Sequence, residues 1–300
     1  MENYIVKPAS EFESGVMDYF YPSNTTPVGF AFEWEEMKLA RVRPAELSVW
    51  AGITGHGKSM IVSQVALMAA RAGEKTVIAS FEMSGNKTLG RMVRQATGEA
   101  IPSKKKIKEC LDWMKEYIHI FDFMGRGNVD LMLKNFRIAC ETEGCTQFII
   151  DSLMKCGLAE DDYSKQKFLV EDFHNAAIKL HAHVHLVAHA RKSKDESDKP
   201  GKMDVSGSAG ITNIADNVYT VWRNKPKEAK VNQYRRQHTM IPYEVEKQPD
   251  CIVECVKSRE QGGDVEKQYY LWYDHKTCQY TNEDRERQNY MPTKDGEIPI

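Results

Sequence analysis

The chain has 300 residues, enough for one large domain or two small ones, and its 41% hydrophobic and 28% charged content is ordinary for a globular protein. Its 41 Lys and Arg against 43 Asp and Glu leave a net charge of −2, which argues against coating nucleic acid with the whole surface but leaves room for a local basic channel. The seven cysteines form no CxxC pair, the N-terminus lacks a basic-then-apolar leader, and no apolar run approaches bilayer length, so the expectation is a cytoplasmic protein with reduced thiols.

Residues 1–28 are mixed, with Tyr19, Phe20 and Tyr21 ahead of a turn at Pro22 to Pro27. They read as an arm docking on a neighbouring subunit or as a frayed lead-in. Trp34, Met37 and Ala40, spaced three apart, suggest a short helix before the Arg43-Pro44 turn. Leu47 to Ala51 reads as a buried strand and Met60 to Arg71 as a helix, with a glycine-rich loop between them. Further strands are expected at Lys75–Phe81, Tyr117–Phe121, Gln147–Asp151 and 183–189, with helices at Asn86–Thr97, from Pro102 to about Glu116, at Val129–Glu143 and over 164–181. Alternating strands and helices predict an α/β fold, a mainly parallel sheet covered on both faces. From about residue 217 the pattern changes. Asn217–Trp222, Cys251–Lys257, Lys267–Tyr273 and Cys278–Tyr280 are short strands with few helices, expected to add antiparallel pairs at one sheet edge. The expected organisation is one domain over 29–281, followed by a polar, Pro-containing tail, 282–300, expected to be poorly ordered.

The loop itself, Gly52-Ile53-Thr54-Gly55-His56-Gly57-Lys58-Ser59, has the Gly-x-x-x-x-Gly-Lys-Ser spacing of a phosphate-binding loop. Glycines let successive backbone N–H groups turn toward phosphates, Lys58 can reach the β- and γ-phosphates, and the Ser59 hydroxyl can hold Mg²⁺. Asp151, ending the apolar run Phe148-Ile149-Ile150, is the candidate second Mg²⁺ ligand. Glu82 ends the second strand, which in a parallel sheet lies beside the phosphate loop, and a carboxylate there can deprotonate an attacking water. His181, His183 and His185 alternate as strand neighbours would, but lack a closed ligand set and are read as ordinary histidines.

Gly52–Ser59, the Phe81-Glu82-Met83-Ser84 segment and Ile150-Asp151-Ser152 together resemble the RecA-like motor domain of DnaB-type hexameric replicative helicases, including the phage primase-helicases and Twinkle. The resemblance implies a RecA-like P-loop NTPase fold, with Lys58 and Ser59 on phosphate and Mg²⁺, Glu82 as catalytic base and Asp151 on the metal. It implies a γ-phosphate sensor at His189, an arginine finger at Arg259 reaching a neighbouring subunit's nucleotide, and Lys257 as a second cation there. Tyr273 corresponds to an aromatic residue packing on the base. Arg191, Lys192, Lys194, Lys199 and Lys202 fall where the family holds single-stranded DNA in a central pore. The implied cofactors are ATP, or another NTP or dNTP, and Mg²⁺; the implied partners are single-stranded DNA, five further copies in a homo-hexamer, and a primase, polymerase or other replisome protein. In the Ser206–Asn213 segment, Thr212-Asn213 stands where the family often has Arg-Gln, a departure that leaves that contact unsupported. Two rivals stay open: a RecA- or KaiC-like recombination-mediator ATPase, and an ATP-gated assembly module that does not unwind.

Overall fold

The computed structural model describes residues 7–21, 28–123, 128–153, 162–190, 199, 204, 209–260, 262 and 266–292. The arm contains helix α1 (Glu13–Phe20), in which no described side chain is buried; Phe12, Val16, Met17 and Phe20 are all more than half exposed. Strands β1 (Phe30–Ala31) and β2 (Arg41–Val42) pair antiparallel as a small separate ribbon. Between them the expected short helix is a single 3-10 turn, Glu35–Met37, and Trp34, Met37 and Ala40 are all buried.

The main body begins with β3 (Leu47–Gly52), buried at every position, and α2 (Lys58–Arg71). It continues through β4 (Lys75–Ser80), α3 (Gly85–Thr97), α4 (Lys104–Met114), β5 (Ile118–Ile120), α5 (Val129–Glu143), β6 (Cys145–Asp151), α6 (Tyr163–Leu180) and β7 (His183–His189). It closes with α7 (Ala209–Ile214), β8 (Asn217–Arg223), α8 (Lys225–Arg236), α9 (Tyr243–Glu246), β9 (Cys251–Ser258), β10 (Lys267–Asp274) and β11 (Gln279–Thr281). The strands form one nine-stranded sheet in the order β11-β10-β9-β8-β3-β7-β6-β4-β5.

Side chains alternate across this sheet with the period of two that extended backbone imposes. Trp50, Ile78, Ile149, Val187 and Tyr219 face a core built with α2, α3 and α4. Val49, Val77, Phe148, Leu186 and Val218 face a second core built with α5, α6 and α7. Burial on both faces explains why these strands read as unbroken apolar runs.

Three expectations need correction. β8 runs parallel to β3, with Ser48 opposite Asn217, so only β9, β10 and β11 are antiparallel additions. Helix α8 is unexpected because its charged sequence has no apolar stripe; its start is set by Asn224, whose side chain accepts the Lys227 N–H at 3.0 Å. Residues 282–292, expected to be poorly ordered, pack against the body instead. Tyr290 is fully buried, its hydroxyl takes the Gln64 amide at 2.8 Å and its N–H reaches the Ala96 carbonyl at 2.9 Å. A single aromatic anchor with satisfied polar groups can hold a segment that has no regular structure of its own.

Candidate nucleotide-binding site

Parallel pairing puts the ends of several strands at one sheet edge. Gly52 lies opposite His189, and Ser80 opposite Asp151. The residues following these ends therefore converge, as ligand-binding residues do in α/β sheets. The loop from Gly52 to Ser59 turns here, with Gly55 and Gly57 at φ of 82° and 88°. A Cβ on Gly57 would stand 2.0 Å from the Tyr280 hydroxyl, and one on Gly52 would stand 2.5 Å from the Val221 carbonyl oxygen. Glycine is required at both positions by close approach, and at Gly57 by backbone conformation as well.

The loop and its surroundings enclose a cavity of about 230 Å³. Lys58 is buried beside it, and its ammonium donates to the Gly52 and Ile53 carbonyls at 2.7 and 3.1 Å. Burial pushes its pKa down to about 8, with Asp151 and Glu82 pulling the other way. The Ser59 hydroxyl donates to Asp151, whose carboxyl is pushed up by burial. Glu82 accepts a hydrogen bond from the Ser152 hydroxyl at 3.2 Å, and His189 Nε2 stands 4.0 Å from the same carboxylate oxygen. His189 Nδ1 pairs with the Thr54 hydroxyl at 3.1 Å. The cavity thus brings together the Lys58 ammonium, the Glu82 carboxylate, and a histidine standing between that carboxylate and the loop.

The donor set fits Mg²⁺. A hydroxyl and a carboxylate are hard oxygen donors, and Ser59 and Asp151 are already in contact. Among the described residues no cluster of three or more His, Cys, Asp or Glu stands ready for a metal. Two protein oxygens completed by phosphates and water is the arrangement Mg²⁺ ordinarily takes.

Within the loop, Thr54, Gly55, Gly57, Lys58 and Ser59 line the cavity. Ile53 and His56 turn their side chains into the protein; His56 Nδ1 accepts the Arg223 N–H at 3.2 Å. Tyr273, from β10, is part of the lining. Arg91, Arg223, Asp250, His275 and Tyr280 also line it. Of these, Arg91 had the most legible signal, since Thr88, Arg91 and Gln95 fall at helical spacing on the inward side of α3, where an arginine needs a reason. Burial lowers the Arg91 pKa while Asp151 opposes the shift.

Lys257 and Arg259 do not reach this cavity. In β9, Ser258 pairs with Asn217, and Asn217 is level with Ser48 near the start of β3, at the sheet edge opposite the phosphate loop. Lys257 donates to the carbonyls of Thr212, Asn213 and Ala215 at 2.8, 3.0 and 2.6 Å. Arg259 pairs with Asp216 at 2.8 Å and donates to the Asn213 and Ile214 carbonyls, both at 2.9 Å. Of the basic loop after β7, Lys199 is described, its ammonium 5.5 Å from the centre of the Trp222 ring. Arg191, Lys192, Lys194 and Lys202 lie outside the described residues.

The alternating histidines have separate structural roles. His181 caps α6 in a left-handed conformation. Both ring nitrogens of His183 are bonded, to the Arg43 carbonyl at 2.6 Å and the Ser48 hydroxyl at 2.9 Å, and burial holds its pKa down to about 4. His185 likewise lies between the Trp50 indole N–H and the Gln147 side chain, at 3.2 and 3.3 Å.

Solved structures resemble the whole of this architecture. An ATPase domain matches with a TM-score of 0.72 and 16% identity, covering 92% of this chain and 99% of its own. A DnaB-like replicative helicase, described together with its interactions with primase, matches at 0.70 and 17%, covering 94% and 73%. A KaiC-like protein from the archaeon Pyrococcus horikoshii matches at 0.57 and 16%, covering 85% and 97%. At these identities the likeness establishes the fold, an α/β P-loop NTPase with a mainly parallel sheet and antiparallel C-terminal strands. Among the described residues no helix is long and apolar enough to cross a membrane. The sequence matches the AAA domain family over residues 38–195, more than half of the chain, and the protein belongs to that family as a RecA-like P-loop NTPase.

Proposed function

We propose that this protein is an ATP-driven DNA helicase of the DnaB type, hydrolysing ATP at interfaces between copies of itself while translocating on single-stranded DNA. The observation that carries the reading is a separation. Glu82, Lys58, Ser59 and Asp151 share one cavity, while Lys257 and Arg259 lie at the opposite edge of the same sheet. The six residues of β3 span about 17 Å at roughly 3.3 Å per residue. The distance of Arg259 from its own chain's cavity supports a role at another copy's.

In this account Lys58 leaves the Gly52 and Ile53 carbonyls for the phosphates, whose charge favours its protonated form. Glu82, held by Ser152 and His189, takes the proton of the attacking water, and His189 connects the γ-phosphate position to Thr54. Mg²⁺ bound by Ser59 and Asp151 would neutralise phosphate charge. Arg259 from the next copy meets the charge that develops on the transferred group, a role suited to an always-ionised planar fork. Tyr273 packs against the base. Arg191, Lys192, Lys194, Lys199 and Lys202 line the channel of a hexameric ring, where repetition concentrates modest charge into a funnel for one strand.

The exposed apolar residues of α1 suit residues 1–28 to docking on a neighbouring copy. A primase or other replisome protein is the partner class the DnaB likeness supports, in the cytoplasm of a cell or of a phage host. The KaiC-like match keeps one alternative, an ATPase of the same fold that assembles without unwinding. A forked-duplex unwinding assay with ATP separates them. Strand displacement that requires hydrolysis supports the helicase; robust DNA-stimulated ATPase with no displacement, on forks of either polarity, supports the alternative.

A further inference from the structure

The surroundings of Arg259 contain an anchor whose geometry calls for a function. A guanidinium on a long side chain reaches many places, and catalysis needs it in one of them. Asp216, 7% exposed, holds Arg259 from two directions. Its carbonyl accepts the Arg259 backbone N–H at 2.9 Å, and its Oδ1 accepts from Nη1 at 2.8 Å. The carboxylate is itself fixed, because Oδ2 accepts the Leu47 backbone N–H at 2.8 Å and lies 3.1 Å from His174 Nε2. Rotating the carboxylate toward a new Arg259 position would break both contacts. The second arm of the guanidinium is set by the Asn213 and Ile214 carbonyls. The side chain of Arg259 nevertheless stays 46% exposed. It is held in place but not hidden.

We propose that Asp216, braced by His174, is the positioning residue that presents Arg259 to the nucleotide bound by a neighbouring copy. The proposal rests on Arg259 acting in trans. It assigns to Asp216 no contact with ATP, and it makes the Asp216 lesion a lesion of the donating side of the interface.

The test uses the full chain, ATP, and mixtures of inactive variants with subunit exchange demonstrated by fluorescence transfer. In Asp216→Asn the amide oxygen can still accept the Leu47 N–H, but the amide N–H₂ then faces Nη1, donor against donor. Turnover should fall about 10²-fold, the scale of a misplaced catalytic group, with ATP binding kept. Mixing Asp216→Asn with Lys58→Ala should restore hydrolysis, because the first supplies an intact phosphate loop and the second an intact Arg259. Mixing Asp216→Asn with Arg259→Ala should restore none.

Wild-type turnover in Asp216→Asn, or a gain in turnover, overturns the proposal. So does failure of the Asp216→Asn and Lys58→Ala mixture when Arg259→Ala and Lys58→Ala complement each other. If that control pair also fails, the trans role of Arg259 falls, and the role of Asp216 falls with it. Should Asp216→Asn not fold, His174 carries the test. His174→Leu should lower turnover and be complemented by Lys58→Ala, while His174→Gln, which keeps a donor, should stay near wild type. Equal behaviour of the two His174 variants overturns the role.

Discussion

The two ends of β3 differ in kind. At the end that runs into the phosphate loop, backbone conformation dominates: Gly55 and Gly57 take positive φ, Tyr280 presses on Gly57, and one buried lysine is parked on two carbonyls of its own loop. At the other end, side chains dominate. Asp216 gathers Leu47, His174 and Arg259, and Lys257 ties down the last turn of α7. The first end has the phosphate loop with the Glu82 carboxylate beside it, and the second has Lys257 and Arg259 and no phosphate loop. Arg91 and Arg223 already line the first end, and the role proposed for Arg259 is to add a further arginine there from a second copy.

The comparison predicts unequal effects at the two ends. The largest belongs to the end without a cavity. Arg259→Ala should lower turnover by roughly 10³–10⁵, the worth of an arginine finger in phosphoryl transfer, while ATP binding by calorimetry stays intact. A parallel loss of binding would put Arg259 in its own subunit's site or in its scaffold. At the cavity end, Glu82→Gln should reduce turnover by about 10²–10⁴ and keep ATP bound, since the amide cannot accept the water's proton. Phosphate release at the wild-type rate in that variant would remove Glu82 from its assigned role.

A smaller effect concerns Lys58. Burial holds its pKa near 8 without nucleotide, and bound phosphate favours the charged form. Below about pH 8 the lysine is already protonated, and ATP affinity should be insensitive to it. Above pH 8, binding must take up a proton, so affinity should fall by up to about tenfold per pH unit. Calorimetry in buffers of different ionisation enthalpy would detect the uptake, and a flat affinity from pH 7 to 9.5 would argue against it. Smallest for hydrolysis is the basic loop. Replacing Lys192, Lys194 and Lys199 with Ala should leave basal ATPase largely unchanged. It should lower the salt dependence of single-strand binding, each lost phosphate contact contributing about 0.7 to the logarithmic slope. An unchanged slope would place these lysines on ordinary solvated surface.

Much of the cavity end was legible in the sequence, because its chemistry is carried by local spacing. The loop motif fixes Gly52 to Ser59, Glu82 and Asp151 stand at or just past the ends of apolar strands whose parallel pairing brings them together, and His189 was reached only through the family resemblance. What spacing cannot convey is what approaches from far along the chain. Tyr280 meets Gly57, and Arg223, Asp250 and His275 complete the lining, yet none belongs to a short-range pattern; Arg91 alone falls at helical spacing with Thr88 and Gln95. The Asp216 anchor was hidden for the same reason, since its partners Leu47, His174 and Arg259 lie on three separated elements. Tertiary context also overrode composition twice. The charged sequence of α8 forms a helix capped by Asn224, and the polar segment carrying Tyr290 docks because one tyrosine fits between Gln64 and Ala96.

The central claim is that one copy's phosphate loop works with another copy's arginine, and mixing two inactive proteins tests it most directly. Arg259→Ala keeps its phosphate loop, and Lys58→Ala keeps its arginine. Rings containing both would regain some interfaces with Lys58 from the first and Arg259 from the second. With subunit exchange demonstrated, ATPase activity well above either protein alone is the predicted result. No recovery across the full range of mixing ratios, despite proven exchange, would contradict the account.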